Sequence, residues 1–302
     1  MLPFARVSII GLGLIGSSIA RAIRAHMPTV ALSGYDGDPL VRETARALEL
    51  VDDVCDTAGA AVTDADFVIL CVPVGAMSAV ALAIRHDLPA DAIVSDVGSS
   101  KAGVMSALQA ALPDHIIIPA HPVAGTERSG PEAGFASLFQ SRWCILTPPP
   151  ETDPAKVAQV QSFWEKLGAN VEIMDAAHHD LVLAITSHLP HLIAYTIVGT
   201  ASDLEAVTRS EVIKYSAGGF RDFTRIAASD PTMWRDVFLT NKDAVLEMLQ
   251  RFSEDLSVLQ RAIRWGDGDA LFDLFTRTRA VRRSIIEQGQ DDERPDFGRS
   301  DH

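Results

Sequence analysis

The chain has 302 residues, 47% of them hydrophobic, which supplies enough apolar surface for two cores. Asp and Glu number 40 against 26 Lys and Arg, a formal charge of −14. That balance excludes nucleic acid and anionic membrane as expected partners, because both demand clustered positive charge. Cys55, Cys71 and Cys144 form no C-x-x-C pair, so they read as reduced thiols, with Cys71 buried in a strand-like run. Met1–Arg6 lacks the basic-then-apolar layout of a signal peptide, and the cytoplasm is the expected compartment.

The first element is the run Val7–Ile10, followed by Gly11, Gly13 and Gly16 in G-x-G-x-x-G spacing and then a helix-like stretch from Ser17. In a dinucleotide site Gly11 makes the tight turn, Gly13 lets backbone approach a pyrophosphate, and Gly16 lets helix pack on strand. The helix start then directs its N–H groups at the phosphates. A plain βα turn would need no acid at a set distance, yet Asp36 follows Gly16 by 20 residues after a second apolar run. Asp36 suits the adenine ribose hydroxyls, and neither Gly37 nor Asp38 supplies a cation for a 2′-phosphate, so NAD is expected over NADP. Leu14, Ile15, Val72 and Pro73 complete the expected cofactor-binding set.

Further strand runs are Val30–Tyr35, Phe67–Val72, Ile93–Val97, Ile116–Ala120, Trp143–Thr147 and Val171–Met174. Helical patterns at Pro39–Leu48, Ala76–His86, Lys101–Leu112 and Pro154–Leu167 alternate with them. This is the α/β pattern of a Rossmann-type, doubly wound, mainly parallel sheet covered on both faces. Thr147–Pro154 reads as a loop inside this domain, because Asp153 and Pro154 open a helix that Gly168 closes. Residues 1–175 are therefore taken as an NAD-binding domain.

From 176 to 290 the chain reads all-helical. Leu181–Val198 is apolar almost all round and should be deeply buried. His188, Pro190 and His191 in its middle argue against a bilayer span. Pro190 should kink the helix and free the carbonyl of Thr186. Val245, Leu249, Phe252, Leu256, Leu259 and Ile263 set a 4-3-4-3-4 rhythm that Leu271, Leu274, Thr278, Val281 and Ile285 repeat. That predicts an antiparallel helix pair whose stripes serve either core packing or a subunit interface. Residues 291–302 are polar and aperiodic, a disordered tail.

Ligands in such sheets bind beyond the carboxyl ends of the strands. Ser99, after Ile93–Val97, and His121, after Ile116–Ala120, should therefore meet at the mouth where a nicotinamide would lie. Ser187, His188 and His191 share one helical face, either satisfying one another or walling a cleft. Arg221, Arg225 and Arg235 could fork a carboxylate, but spacing favours internal pairs with Asp222, Asp230 or Asp236. His178-His179-Asp180 lacks metal-ligand spacing and reads as a helix N-terminal cluster; no metal is expected.

Three motifs go further. His121-Pro-Val-Ala-Gly-Thr126-Glu127, Ser187-His-Leu-Pro-His191 and Gly219-Phe-Arg-Asp-Phe-Thr-Arg225 with Asp230-Pro-Thr-Met-Trp234 resemble the prephenate/arogenate dehydrogenases of tyrosine biosynthesis, from Val7 to about Gln288. The resemblance implies NAD(P)-linked oxidative decarboxylation and a homodimer formed through the helical domain. It also implies that His121 is the base on the ring hydroxyl, that Ser99 supports it, and that Arg225 grips the substrate carboxylate. Ser187, His188 and His191 would line the cleft, with Thr126 and Glu127 at its rim. Trp234 would bind substrate in its own site or that of the second subunit. A β-hydroxyacid dehydrogenase or related imine reductase shares the two-part layout, but the hydroxyacid enzymes use a lysine on the first helix after the nucleotide domain, and Leu181–Thr200 has none. A non-enzymatic NAD sensor would leave Ser99, His121 and Arg225 unexplained.

Overall fold

The computed structural model describes residues 2–126, 128–208, 214 and 217–287. Glu127 and the tail from 291 to 302 lie outside them. The first half runs β1 (Arg6–Ile10), α1 (Leu14–His26), β2 (Ala31–Tyr35), α2 (Pro39–Ala47), β3 (Asp53–Val54), α3 (Ala58–Val62), β4 (Phe67–Leu70), α4 (Met77–Ile84), β5 (Ile93–Asp96), α5 (Ala102–Ala111) and β6 (Ile116–Ile117). All six strands are parallel, in the order β3-β2-β1-β4-β5-β6. The order reverses at the β1/β4 pair, where a crevice opens at the carboxyl ends.

Alternation along the strands builds the two cores. Ile9, Phe67 and Ile69 face Ile19 and Ile23 of α1 and Phe163 and Trp164 of α6 (Pro154–Lys166). Ile10, Val68 and Leu70 face the other way, onto Met77 and Ala81 of α4 and Val104 and Leu108 of α5. Each large side chain so buried contributes about 1.5–3 kcal/mol. Helix starts follow side-chain chemistry: Asp38, Thr57, Asp153 and Asp175 accept N–H bonds as N-caps, and Pro39 and Pro154 occupy first turns. Gly168, at φ +93°, ends α6 as expected.

Several expectations need correction. The run Ile116–Ala120 is not one strand. Its first two residues close the main sheet as β6, and β7 (Ala120–Pro122) begins a second sheet with β8 (Trp143–Leu146) and β9 (Asn170–Ile173). Pro119, which has no N–H to give a ladder, sits at the switch and accepts from Thr147 N. In that small sheet β7 and β8 are antiparallel, and β8 and β9 parallel. The two-residue strand β3 carried no periodic signal and was not foreseen. Cys71 is half-buried, and all three cysteines are free thiols.

The helical half holds α7 (Ala176–Leu183), a π turn (Ala184–His188), α8 (Leu189–Thr208), α9 (Gly218–Thr224), α10 (Pro231–Thr240), α11 (Lys242–Trp265) and α12 (Gly268–Glu287). The disturbance expected at Pro190 takes the form of that π turn, with Leu189 N donating to Ala184 O. Leu181–Val198 is not deeply buried. Leu181, Ile185, Ile197 and Val198 are exposed within the single chain. By compactness the chain divides into Met1–Leu246 and Glu247–His302. Within the second unit α11 and α12 do not pack along one another, and Leu256, Ile263, Phe272, Phe275 and Val281 are exposed. The stripes are therefore not an intrachain helix pair.

Candidate active site

The turn after β1 has the geometry a dinucleotide needs. Gly11 holds φ +102°, and a Cβ there would lie 2.4 Å from Cys71 O. A Cβ on Gly16 would lie 1.9 Å from Gly11 O, so only glycine lets α1 start this close to β1. Gly13 has nothing within 4 Å of its missing Cβ and caps α1 without a side-chain bond, leaving open space at the helix's N–H groups. Leu14 and Ile15 form the first turn of α1, and Val72 and Pro73 follow β4 across the crevice from it. Asp36, just past β2, is fixed by both oxygens: Oδ2 accepts from Leu12 N at 2.8 Å and Oδ1 from Asp38 N at 2.9 Å. The residues present fit NAD. A cation the spacing did not reveal stands nearby: Arg42, over the Tyr35 ring, donates to the carbonyls of Asp36 and Gly37.

At the far side of the crevice a buried ion pair sets the backbone. Lys101 Nζ lies 2.5 Å from Asp96 Oδ2, with both side chains fully buried, and donates to Ala120 O at 2.7 Å. Burial pushes the Asp96 carboxyl up and the Lys101 amine down, while each partner opposes the other's shift. The pair holds the strand at the residue before His121. His121 itself lies within β7, not in a loop, and is buried. Its Nδ1 is 2.9 Å from His179 Nε2, and His179 Nδ1 is 2.9 Å from Asp180 Oδ1. Asp180 also accepts from Lys101 N at 2.7 Å and Ala102 N at 2.9 Å, tying α7 to the start of α5. Burial, reinforced by the positive charges of neighbouring groups, holds the His121 imidazole well below its usual range, so the ring is neutral at pH 7.

The wall on the helical side comes from the π turn and α8. His188 is buried, with Nδ1 3.1 Å from Asn241 Nδ2, which also donates to Asp180 O. Burial lowers the His188 pKa to about 4, and Ser99 meets that ring through its backbone. The Nδ1 of His121 is engaged by His179. His191 stacks on Trp234 of its own chain, centroids 3.6 Å apart, and its Nδ1 is 2.8 Å from Ser187 O. Burial lowers the His191 pKa, and the nearby Arg225 charge adds to that. Arg225 is exposed at the end of α9, and Tyr195 OH donating to Ser229 O holds this segment to α8. Of the expected internal arginine pairs, Arg235 binds Asp236, through Nε at 2.8 Å. Thr126 is exposed, its hydroxyl accepting from Arg128 N. A separate surface hollow of about 460 Å³, lined by Phe4, Asp66, Pro89, Ile93 and Gln159, lies at the amino ends of β4 and β5, away from this chemistry.

The model of the prephenate dehydrogenase nucleotide-binding domain matches residues 19–173, and that of the prephenate dehydrogenase dimerization domain matches residues 175–277. The chain belongs to the prephenate dehydrogenase family. It is 49% identical over 285 residues to the cyclohexadienyl dehydrogenase of Zymomonas mobilis, covering 94% of this chain and 97% of that protein. Its fold matches that of the prephenate dehydrogenase from A. aeolicus, solved in complex with hydroxyphenyl propionate and NAD+, with a TM-score of 0.87, 35% identity and coverage of 94% and 98%. Synechocystis arogenate dehydrogenase matches with a TM-score of 0.78 and 26% identity, covering 93% of this chain and 99% of that one.

Within this dehydrogenase fold, the residues that sequence reasoning missed are those whose partners come from afar. His179 and Asp180 read as a bland helix start and Asp96 as part of a strand, while Asn241 carries no sequence signal of its own. Each is buried and polar, and buried polar residues are hydrogen-bonded. A histidine and an aspartate four and five residues after the cap Asp175, near the start of α7, are the sequence signal available.

Proposed function

We propose that the chain catalyses the NAD-dependent oxidative decarboxylation of prephenate to 4-hydroxyphenylpyruvate and of arogenate to tyrosine, in the cytoplasm. The observation that carries this is His121, neutral and engaged through Nδ1, at the crevice beyond a turn shaped for a dinucleotide. Bound NAD supplies the acceptor for the hydride that leaves ring carbon 4. His121 takes the proton of the carbon 4 hydroxyl through Nε2, which converts that oxygen towards a carbonyl. Cleavage of the bond from carbon 1 to its carboxylate returns two electrons to the ring, releases carbon dioxide and restores aromaticity. The ring oxygen then recovers its proton from His121. Atoms and charge balance without a metal.

Around this centre, Ser99 supports the hydroxyl end, while Ser187, His188, His191 and Trp234 line the cleft and Thr126 and Glu127 form its rim. Arg225 grips the substrate carboxylate. Its charge outweighs the distant net −14, because screening over ~8–10 Å removes most of the long-range repulsion. Asp36 bonds the ribose hydroxyls, and its fixed carboxylate disfavours NADP. We take residues 1–175 as the nucleotide-binding domain and 176–290 as the helical substrate and dimerisation domain, a division supported by the extents of the two family models.

A second copy of the chain covers the exposed apolar residues of α8, α11 and α12, giving a homodimer. Sedimentation should report a dimer that Phe272→Asp weakens by at least tenfold; an unchanged dimer would place the interface elsewhere. Turnover of prephenate and arogenate with NAD, read as NADH absorbance, tests the activity. No turnover with either substrate would remove it.

A further inference from the structure

The structure assigns to His179 and Asp180 a part in this chemistry: with His121 they form a relay, Asp180–His179–His121, that fixes which nitrogen of His121 receives the substrate's proton and shares the charge that results. The inference rests on the activity proposed above, but its first observable does not.

The direction of the relay follows from one anchored anion. Asp180 is buried, which raises its pKa, yet the bonds from His179 and from Lys101 N and Ala102 N outweigh that and hold it below the usual range. The start of α5 favours the same negative charge. A carboxylate only accepts, so His179 Nδ1 donates to it. Burial keeps His179 below its ordinary pKa, so the ring is neutral, with a lone pair at Nε2. The 2.9 Å contact to His121 Nδ1 then has His121 as donor. One tautomer remains for His121: hydrogen on Nδ1 and a lone pair on Nε2, ready to accept.

When Nε2 takes the hydroxyl proton, His121 becomes an imidazolium in a buried site that resists charge. Transfer of the Nδ1 proton to His179 Nε2 breaks one N–H bond and forms another, and moves the positive charge next to the Asp180 carboxylate. The return transfer accompanies reprotonation of the product's ring oxygen, so no net proton is stored. The charged or titratable groups facing His121 are His179, Lys101 and His188; those facing His179 are Asp180, Lys101 and Asp96. Lys101 is tied to Asp96 and opposes charge on both rings; Asp180, bonded to the His179 ring, draws it most strongly, and Asp96 adds to that pull. His179 and Asp180 act through His121 and are positioning residues, not catalytic ones.

The first test is ¹⁵N NMR of the imidazoles in the wild-type protein near pH 7. His121 and His179 should both be protonated at Nδ1; a His121 protonated at Nε2 overturns the relay whether or not the protein turns over either substrate. The second compares three proteins. His179→Leu should lower kcat by ~10²-fold, with the KM for NAD unchanged. His179→Gln can accept from His121 and donate to Asp180, so it keeps the tautomer but cannot carry a proton. It should recover about tenfold of that loss, and the acid limb of its kcat profile should move to lower pH. A merely structural role would reduce the folded fraction and leave the limb in place. An inactive wild type would defeat the functional reading alone, while an active wild type whose variants match it in kcat and pH profile would defeat the relay.

Discussion

The two walls of the crevice are built in opposite ways. The glycine turn is largely local: Gly11, Gly13 and Gly16 stand in one short run of chain, and what reaches it from outside is the Cys71 carbonyl against Gly11 and the Asp36 carboxylate on Leu12 N. The histidine wall is assembled. Asp180 meets Lys101 N across 79 positions, His121 meets His179 across 58, and Asn241 meets His188 across 53. A local site fails through backbone geometry, whereas an assembled one fails when any contributor loses its partner and leaves a buried polar group unpaired.

The sharpest way to break the contrast is at the centre of the assembled wall. His121→Asn should lower kcat by ~10²–10⁴-fold, the usual contribution of a positioned base. Near-wild-type turnover would remove the base assignment. Arg225→Gln should act on binding, raising KM for substrate roughly 10–100-fold with a smaller change in kcat, since a charge-assisted bond is worth ~1.5–3 kcal/mol. An unchanged KM would move carboxylate binding to another cation such as Arg221.

The local wall is probed by two alanines three residues apart. Gly16→Ala forces a Cβ against backbone at 1.9 Å and should cost about 1–3 kcal/mol of stability, read as a lowered Tm. Gly13→Ala meets nothing in the protein and should leave Tm unchanged while raising the KM for NAD. Equal Tm values for the two variants would contradict the packing described. The smallest effect is one of pH. His121, His179 and His188 all have folded pKa values below 6.5, so the unfolded chain binds more protons than the folded one in mildly acid solution. Their contribution is complete above pH 6.5 and is lost as pH falls towards about 4, the value for His188. Tm should fall steadily across that window, and His188→Gln should flatten the slope; a wild-type Tm independent of pH there would contradict the buried neutral histidines.

How much of this was legible depended on the same distinction. The runs that become β1, β2, β4 and β5 follow from short windows, and the six-stranded sheet bears them out. His121 reads as the end of the run Ile116–Ala120, but that run breaks at Pro119 and His121 lies inside β7. The small sheet was invisible because Trp143–Leu146 and Asn170–Ile173 carry the same β-type composition as the main strands, and composition does not say which neighbour a strand pairs with. Burial of Leu181–Val198 was misread for a related reason. An apolar helix records that something covers it, not that its own chain does. His178-His179-Asp180 lacks metal-ligand spacing, and nothing in it shows that His179 has a partner 58 residues upstream or that Asp180 has partners 78 and 79 residues upstream.

The π turn at Ala184–His188 makes chain length itself a determinant of this wall. It carries one residue more than a regular helical turn, and one residue corresponds to about 100° of rotation. Removing a single residue before His188 would let the ladder close as an ordinary helix and swing the imidazoles of His188 and His191 away from Asn241 and Trp234. This segment should therefore tolerate a change of letter far better than a change of count.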